Sequence, residues 1–170
     1  TSMANYNTGY FKTYYKLGDK KVDLNGNNFT EDSLALSDNT NFVAHAPFKA
    51  SSVSYTRDIT SDSKWYTLCL PFAYTPTNFT AYQLKSATND AVEMELVTGT
   101  VAAGTPVLFR FKDGTDKIIN LSATEADIVK MPAKGTIISS TDGHSLRLFG
   151  TYQGKTFSKD ADNNTFILQN

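Results

Sequence analysis

Lys64-Trp65-Tyr66-Thr67-Leu68-Cys69-Leu70-Pro71-Phe72 is the most apolar run of the chain. It holds the only tryptophan and the only cysteine, no glycine, and a single charge at its first residue. Its length suits a buried β-strand and falls far short of a membrane span. Pro71 has no amide hydrogen to give a sheet ladder, so the strand is expected to end there or to lie at an edge. The run reads as the central core strand, with Trp65 and Cys69 packed inside.

Working outward, the neighbouring segments are also short and strand-like. Residues 52–59 alternate, with Val53, Tyr55, Arg57 and Ile59 on one side. Residues 33–37 and 41–46 read as brief strands, the second stopped by Pro47. On the other flank, residues 79–85 and 91–97 alternate. In the latter, Val92, Met94 and Leu96 are expected inward and Glu93 and Glu95 outward. Residues 105–111 form a second core strand ended by Lys112-Asp113-Gly114, and 117–121 continue the meander. Residues 122–131 read as one short helical segment, because Ser122 and Glu125 fit a capping box and Pro132 closes it. The last strands are expected at 135–138, 145–152 and 165–168, with Asp142-Gly143 as a hairpin turn.

At the amino end, residues 9–17 place Tyr10, Lys12, Tyr14 and Lys16 on one face and Phe11, Thr13, Tyr15 and Leu17 on the other. Strands at spacings of about 8–12 residues with little helix indicate an all-β chain. The architecture expected is an antiparallel β-sandwich or open barrel with at most one short helix. Residues 1–28 read as Tyr-rich strands open to joining the same sheet, and residues 29–170 as the sandwich module. Thr1-Ser2-Met3-Ala4 reads as a cloning remnant, and the apolar 166–168 run ends the chain without a turn. The module is therefore expected to come from a longer protein.

Composition removes several function classes. The formal net charge is −1 and the 16 lysines and arginines are scattered, so no basic field serves nucleic acid or an anionic membrane surface. No stretch is long and apolar enough for membrane insertion by a helix. One cysteine excludes an internal disulfide and a multi-cysteine zinc site.

Tyr55-Thr56-Arg57, then Trp65 to Phe72, then Tyr82-Gln83-Leu84, then Ala102-Ala103-Gly104-Thr105-Pro106-Val107-Leu108 follow in that order. The pattern resembles a β-module that recurs in secreted and surface proteins of Bacteroidetes, beside leucine-rich-repeat, adhesin-like and glycan-degrading domains. The matching segments span residues 29–170. The resemblance implies secretion or an outer-surface location and an accessory role. It carries no catalytic residues.

Candidate chemistry is sparse. A nucleophile needs a base and an orienting group in contact, and the only histidines are His45 and His144. Cys69 sits in the most apolar run, where a thiol stays protonated and inert. Asp160, Asp162 and Asn164 stand at positions 1, 3 and 5 of a calcium loop, but Thr165 replaces the required glycine. A polar hairpin loop explains the segment, and whether it binds calcium stays open; no cofactor is expected. Glu93 and Glu95 lie about 7 Å apart along one strand face. Glycosidase carboxylates flank a cleft from separate elements, so a solvated face is the reading here. The chain is expected not to be an enzyme.

The aromatic residues carry the most functional content. Sugar rings present C–H faces that stack on exposed flat rings, so the candidate ligand-binding residues are Tyr6, Tyr10, Tyr14, Tyr152 and Phe157. Ordinary cross-strand pairing explains the tyrosine stripe equally. The expected function is a non-catalytic extracellular module that binds a polysaccharide or a host or cell-surface glycan, or supports adhesion. The alternative is a structural spacer whose partners are the other domains of the parent chain. A protein-binding module using the 98–105 loop is a third class.

Overall fold

Alternation of apolar and polar residues gives strands wherever one face meets the core. The computed structural model describes residues 30–38, 40–44, 46–60, 64–88, 90–140, 143–154, 156 and 158. The expected strands at 9–17 and 165–168 and the 160–164 loop lie outside the described residues, as does His45. Among the described residues there are nine strands: β1 (Thr30–Ser37), β2 (Phe48–Asp58), β3 (Tyr66–Leu68), β4 (Phe79–Ala87), β5 (Val92–Leu96), β6 (Val107–Phe111), β7 (Ile118–Ile128), β8 (Ile138–Ser139) and β9 (Ser145–Leu146). They form a three-stranded sheet in the order β1-β2-β7, a four-stranded sheet in the order β3-β6-β4-β5, and the β8-β9 pair. The fold is all-β and sandwich-like. Most pairs are antiparallel, but β1 runs parallel to β2, with Leu34 opposite Val53, against the all-antiparallel expectation.

The core forms where the two larger sheets meet. Leu34, Val53, Tyr55, Ile119 and Leu121 from the first pack in one cluster with Tyr66, Leu68, Phe79, Val107 and Phe109 from the second. Phe109 is its centre, with ring centroids 4.9 Å from Phe79 and 5.2 Å from Tyr66. Each such ring contributes about 1.5–3 kcal/mol on burial.

Several expectations are corrected. First, the 64–72 run is a strand over Tyr66–Leu68 alone. Beyond Leu68 the backbone leaves the ladder yet stays buried. The Leu70 carbonyl accepts from the Gly104 amide at 2.7 Å and the Pro71 carbonyl from the Val129 amide at 2.8 Å. The run therefore ties the 102–105 turn to the segment after β7, and Leu70 and Phe72 fill the core from a loop. Residues 41–44 are likewise not a strand.

Second, residues 122–128 are not helical but the second half of β7. The inward face moves from Ile119 and Leu121 to Ala126 and Ile128, and on β2 it moves in step, from Val53 and Tyr55 to Phe48 and Ala50. Glu125 sits at the change with φ +49°, and the Lys49 ammonium donates to its carbonyl at 3.2 Å.

Third, Val92 and Leu96 do not point into the core. They are 48% and 53% exposed, because β5 is the outer strand of its sheet. Register puts Leu96 opposite Tyr82, Met94 opposite Leu84, and Tyr82 opposite Leu108. These side chains share the face that points away from the sandwich core. Trp65 belongs to that face as well. It is half-buried, not a core residue, with Tyr82 against it edge-on at 5.1 Å and the Arg110 guanidinium over its ring at 5.2 Å.

Candidate functional site

A cleft of about 360 Å³ opens where the ends of the two larger sheets meet the 148–154 segment. That is near the lower end of the range for small-ligand sites, ~300–1,000 Å³. Three local features build it. Strand β2 carries Tyr55 and Arg57 toward the edge, the turn after β1 brings Asp38 and Asn41, and the loop after β3 supplies Cys69, Leu70 and Pro71.

Asp38 organises the polar wall. Its Oδ1 accepts from the Tyr55 hydroxyl at 2.5 Å and its Oδ2 lies 2.7 Å from Arg57 Nε. Arg57 also donates to the Thr67 carbonyl at 2.9 Å, so one guanidinium joins both sheets. Burial, with the Asp38 carboxylate beside it, holds the Tyr55 phenol above its ordinary pKa.

The opposite wall is the 148–154 segment. The Phe42 amide donates to the Tyr152 carbonyl at 2.8 Å, and the Gly154 amide to Asn41 Oδ1 at 2.8 Å. The Tyr152 ring meets Phe42 edge-on at 5.6 Å. The expected platform residue thus lines the cleft, half-buried, and packs as part of the wall. Its hydroxyl is buried with no hydrogen-bond partner among the described residues. An ideal Cβ on Gly104 would stand 3.2 Å from that oxygen, which explains a glycine there beyond its φ of +77°. Burial raises the Tyr152 phenol, as it does Tyr74 in the core.

Cys69 sits at the floor and donates to the Gly104 carbonyl, Sγ to O 3.3 Å. Burial pushes its thiol up to about 12. It is a neutral thiol at physiological pH and a poor nucleophile. Among the described residues no group of three or more His, Cys, Asp and Glu side chains is placed to hold a metal ion.

Of the other sequence-proposed residues, Tyr6, Tyr10, Tyr14 and Phe157 lie outside the described residues. The sequence reading missed Phe149, which is 67% exposed on the cleft rim with the Arg147 guanidinium 4.2 Å over its ring. A Phe-Gly pair after an arginine was the available signal, but it was absorbed into the strand expected at 145–152. Asp38 and Asn41 were missed because turn asparagines and aspartates are common and carry no pattern. The arrangement offers one exposed ring beside carboxylate, amide and hydroxyl groups, suited to binding a polar ligand that has an apolar face. Comparison with protein-family models, with curated proteins and with solved structures found no match.

Proposed function

We propose that the chain is a non-catalytic accessory module, secreted or held at the outer cell surface, that binds carbohydrate in the Asp38–Tyr152 cleft. The observation that carries this reading is Phe149, exposed on the rim of a cleft that also presents Asp38, Asn41 and Gln153. A sugar's C–H face stacks on such a ring while its hydroxyls bond to the carboxylate and amides. The neutral Cys69 thiol supports a binding role over covalent catalysis. The likeness to Bacteroidetes surface modules adds the location and the accessory role.

Isothermal titration calorimetry against a panel of plant and host oligosaccharides tests the proposal. Saturable heat with at least one sugar is expected, and none with any sugar removes the reading. The second reading is a spacer without a ligand. It is favoured by one observation: both Asp38 oxygens are already engaged, by Tyr55 and Arg57. A silent panel supports it.

A further inference from the structure

The wall of the cleft that carries Phe149 holds uncompensated positive charge. That wall is the 143–154 segment with the 129–140 segment packed against it. Strands β8 and β9 pair the two, Gly135 abuts the Leu148 carbonyl, and an ideal Cβ on Gly150 would stand 3.1 Å from the Pro132 Cβ. Together the two segments carry Lys130, Lys134 and Arg147 and neither aspartate nor glutamate. Asp142, in the turn between them, lies outside the described residues. Among the described residues no carboxylate pairs with any of the three cations.

The facing wall is neutral. Among the described residues the charged side chains that line the cleft are Asp38 and Arg57, and they pair with each other at 2.7 Å. Asp38 is thus already answered and does not offset the cations opposite. Arg147 stands at the binding position itself. Its guanidinium lies 4.2 Å over the Phe149 ring, and Phe149 is still 67% exposed. A sugar ring stacked on that remaining surface brings a substituent at its edge within reach of the guanidinium. The planar fork of an arginine matches the paired oxygens of a carboxylate or a sulfate.

We infer that the ligand is an acidic sugar, whose anionic group pairs with Arg147 while its ring stacks on Phe149. The inference rests on the carbohydrate reading of the cleft and names the class of sugar. Lys130 and Lys134 add charge of the same sign to the same wall, which favours an anion and opposes an amino sugar. A neutral sugar leaves all three cations unanswered.

Calorimetry of the intact chain with matched pairs tests the inference: oligogalacturonate beside its neutral methyl ester, and a sulfated galactan oligomer beside its desulfated form. At least one acidic member is expected to bind about tenfold tighter than its neutral partner, and the pair that shows it tells carboxylate from sulfate. Raising the salt from about 50 to about 200 mM should shrink that difference. Arg147→Gln should abolish it without weakening the neutral sugar, and Arg147→Lys should keep part of it. Equal affinity within both pairs, or binding of neutral sugars alone, overturns the inference and leaves the carbohydrate reading standing. Silence with every sugar overturns both. A preference for the acidic member that survives Arg147→Gln overturns the assignment to Arg147.

Discussion

Gly150 lies against Cys69 so closely that an ideal Cβ on Gly150 would stand 2.9 Å from the Cys69 Cβ, 3.1 Å from the Pro132 Cβ, and nearer still to the thiol sulfur. The cleft floor and its far wall are therefore in direct backbone-to-side-chain contact. Gly150→Ala forces one of them to move and should destabilise the fold by about 1–3 kcal/mol. Adding Cys69→Ala removes the sulfur but leaves the Cβ, so the double variant should recover part of that loss. Urea midpoints of the two single variants and the double, read as a cycle, measure the coupling. Strict additivity would place the two residues apart.

Stability should fall in alkali. The folded-state pKa values of Cys69, Tyr55, Tyr74 and Tyr152 all lie above their unfolded values, mainly through burial. The unfolded chain loses these protons first, so it binds fewer than the native state and stability declines as pH rises. For Cys69 the contribution is fully present below its unfolded pKa of 9.0 and is lost as pH climbs toward about 12. Urea midpoints from pH 8 to pH 10.5 should therefore decrease, and Cys69→Ala should flatten the early part of the fall. A pH-independent midpoint would mean that these groups titrate as freely in the native state as in the unfolded chain.

The Asp38 network should matter to stability as well as to binding. Tyr55→Phe removes a bond from a buried phenol to a carboxylate. Because Asp38 is half-exposed and water partly replaces the partner, the cost should be about 1–2 kcal/mol. Asp38→Ala should cost more, since it strands the Tyr55 hydroxyl and leaves the Arg57 guanidinium with only the Thr67 carbonyl. Equilibrium unfolding of the two variants gives the order, and an unchanged midpoint in both would remove the network from the fold's support.

Much of the fold was legible, and the failures have physical causes. Strand β2 follows from period-2 alternation, with Tyr55 on its inward side, and β4 and β6 from short apolar runs bounded by turn residues. The second half of β7 was hidden because the inward face changes at Glu125, leaving Ala123 and Ala126 at a helix-like spacing of three. The inward assignment of β5 failed because alternation shows that a strand has two different faces, not which one is covered. Trp65 misled for the same reason: it opens an apolar run, yet its ring lies on the outer face with Tyr82 and Arg110. Of the aromatic residues expected to bind a ligand, Tyr152 is placed in the cleft wall, packed on Phe42. The Asp38–Arg57–Tyr55 network was not legible, since it joins a turn to a strand through side chains that no local pattern links.

Affinity electrophoresis of the intact chain beside its Phe149→Ala form, in gels carrying plant or host polysaccharides, addresses the binding cleft directly. Retardation of the parent in at least one gel, with the alanine form migrating as in a blank gel, is the predicted result. Free migration of the parent in every gel, or equal retardation of both forms, contradicts the cleft as a sugar-binding site.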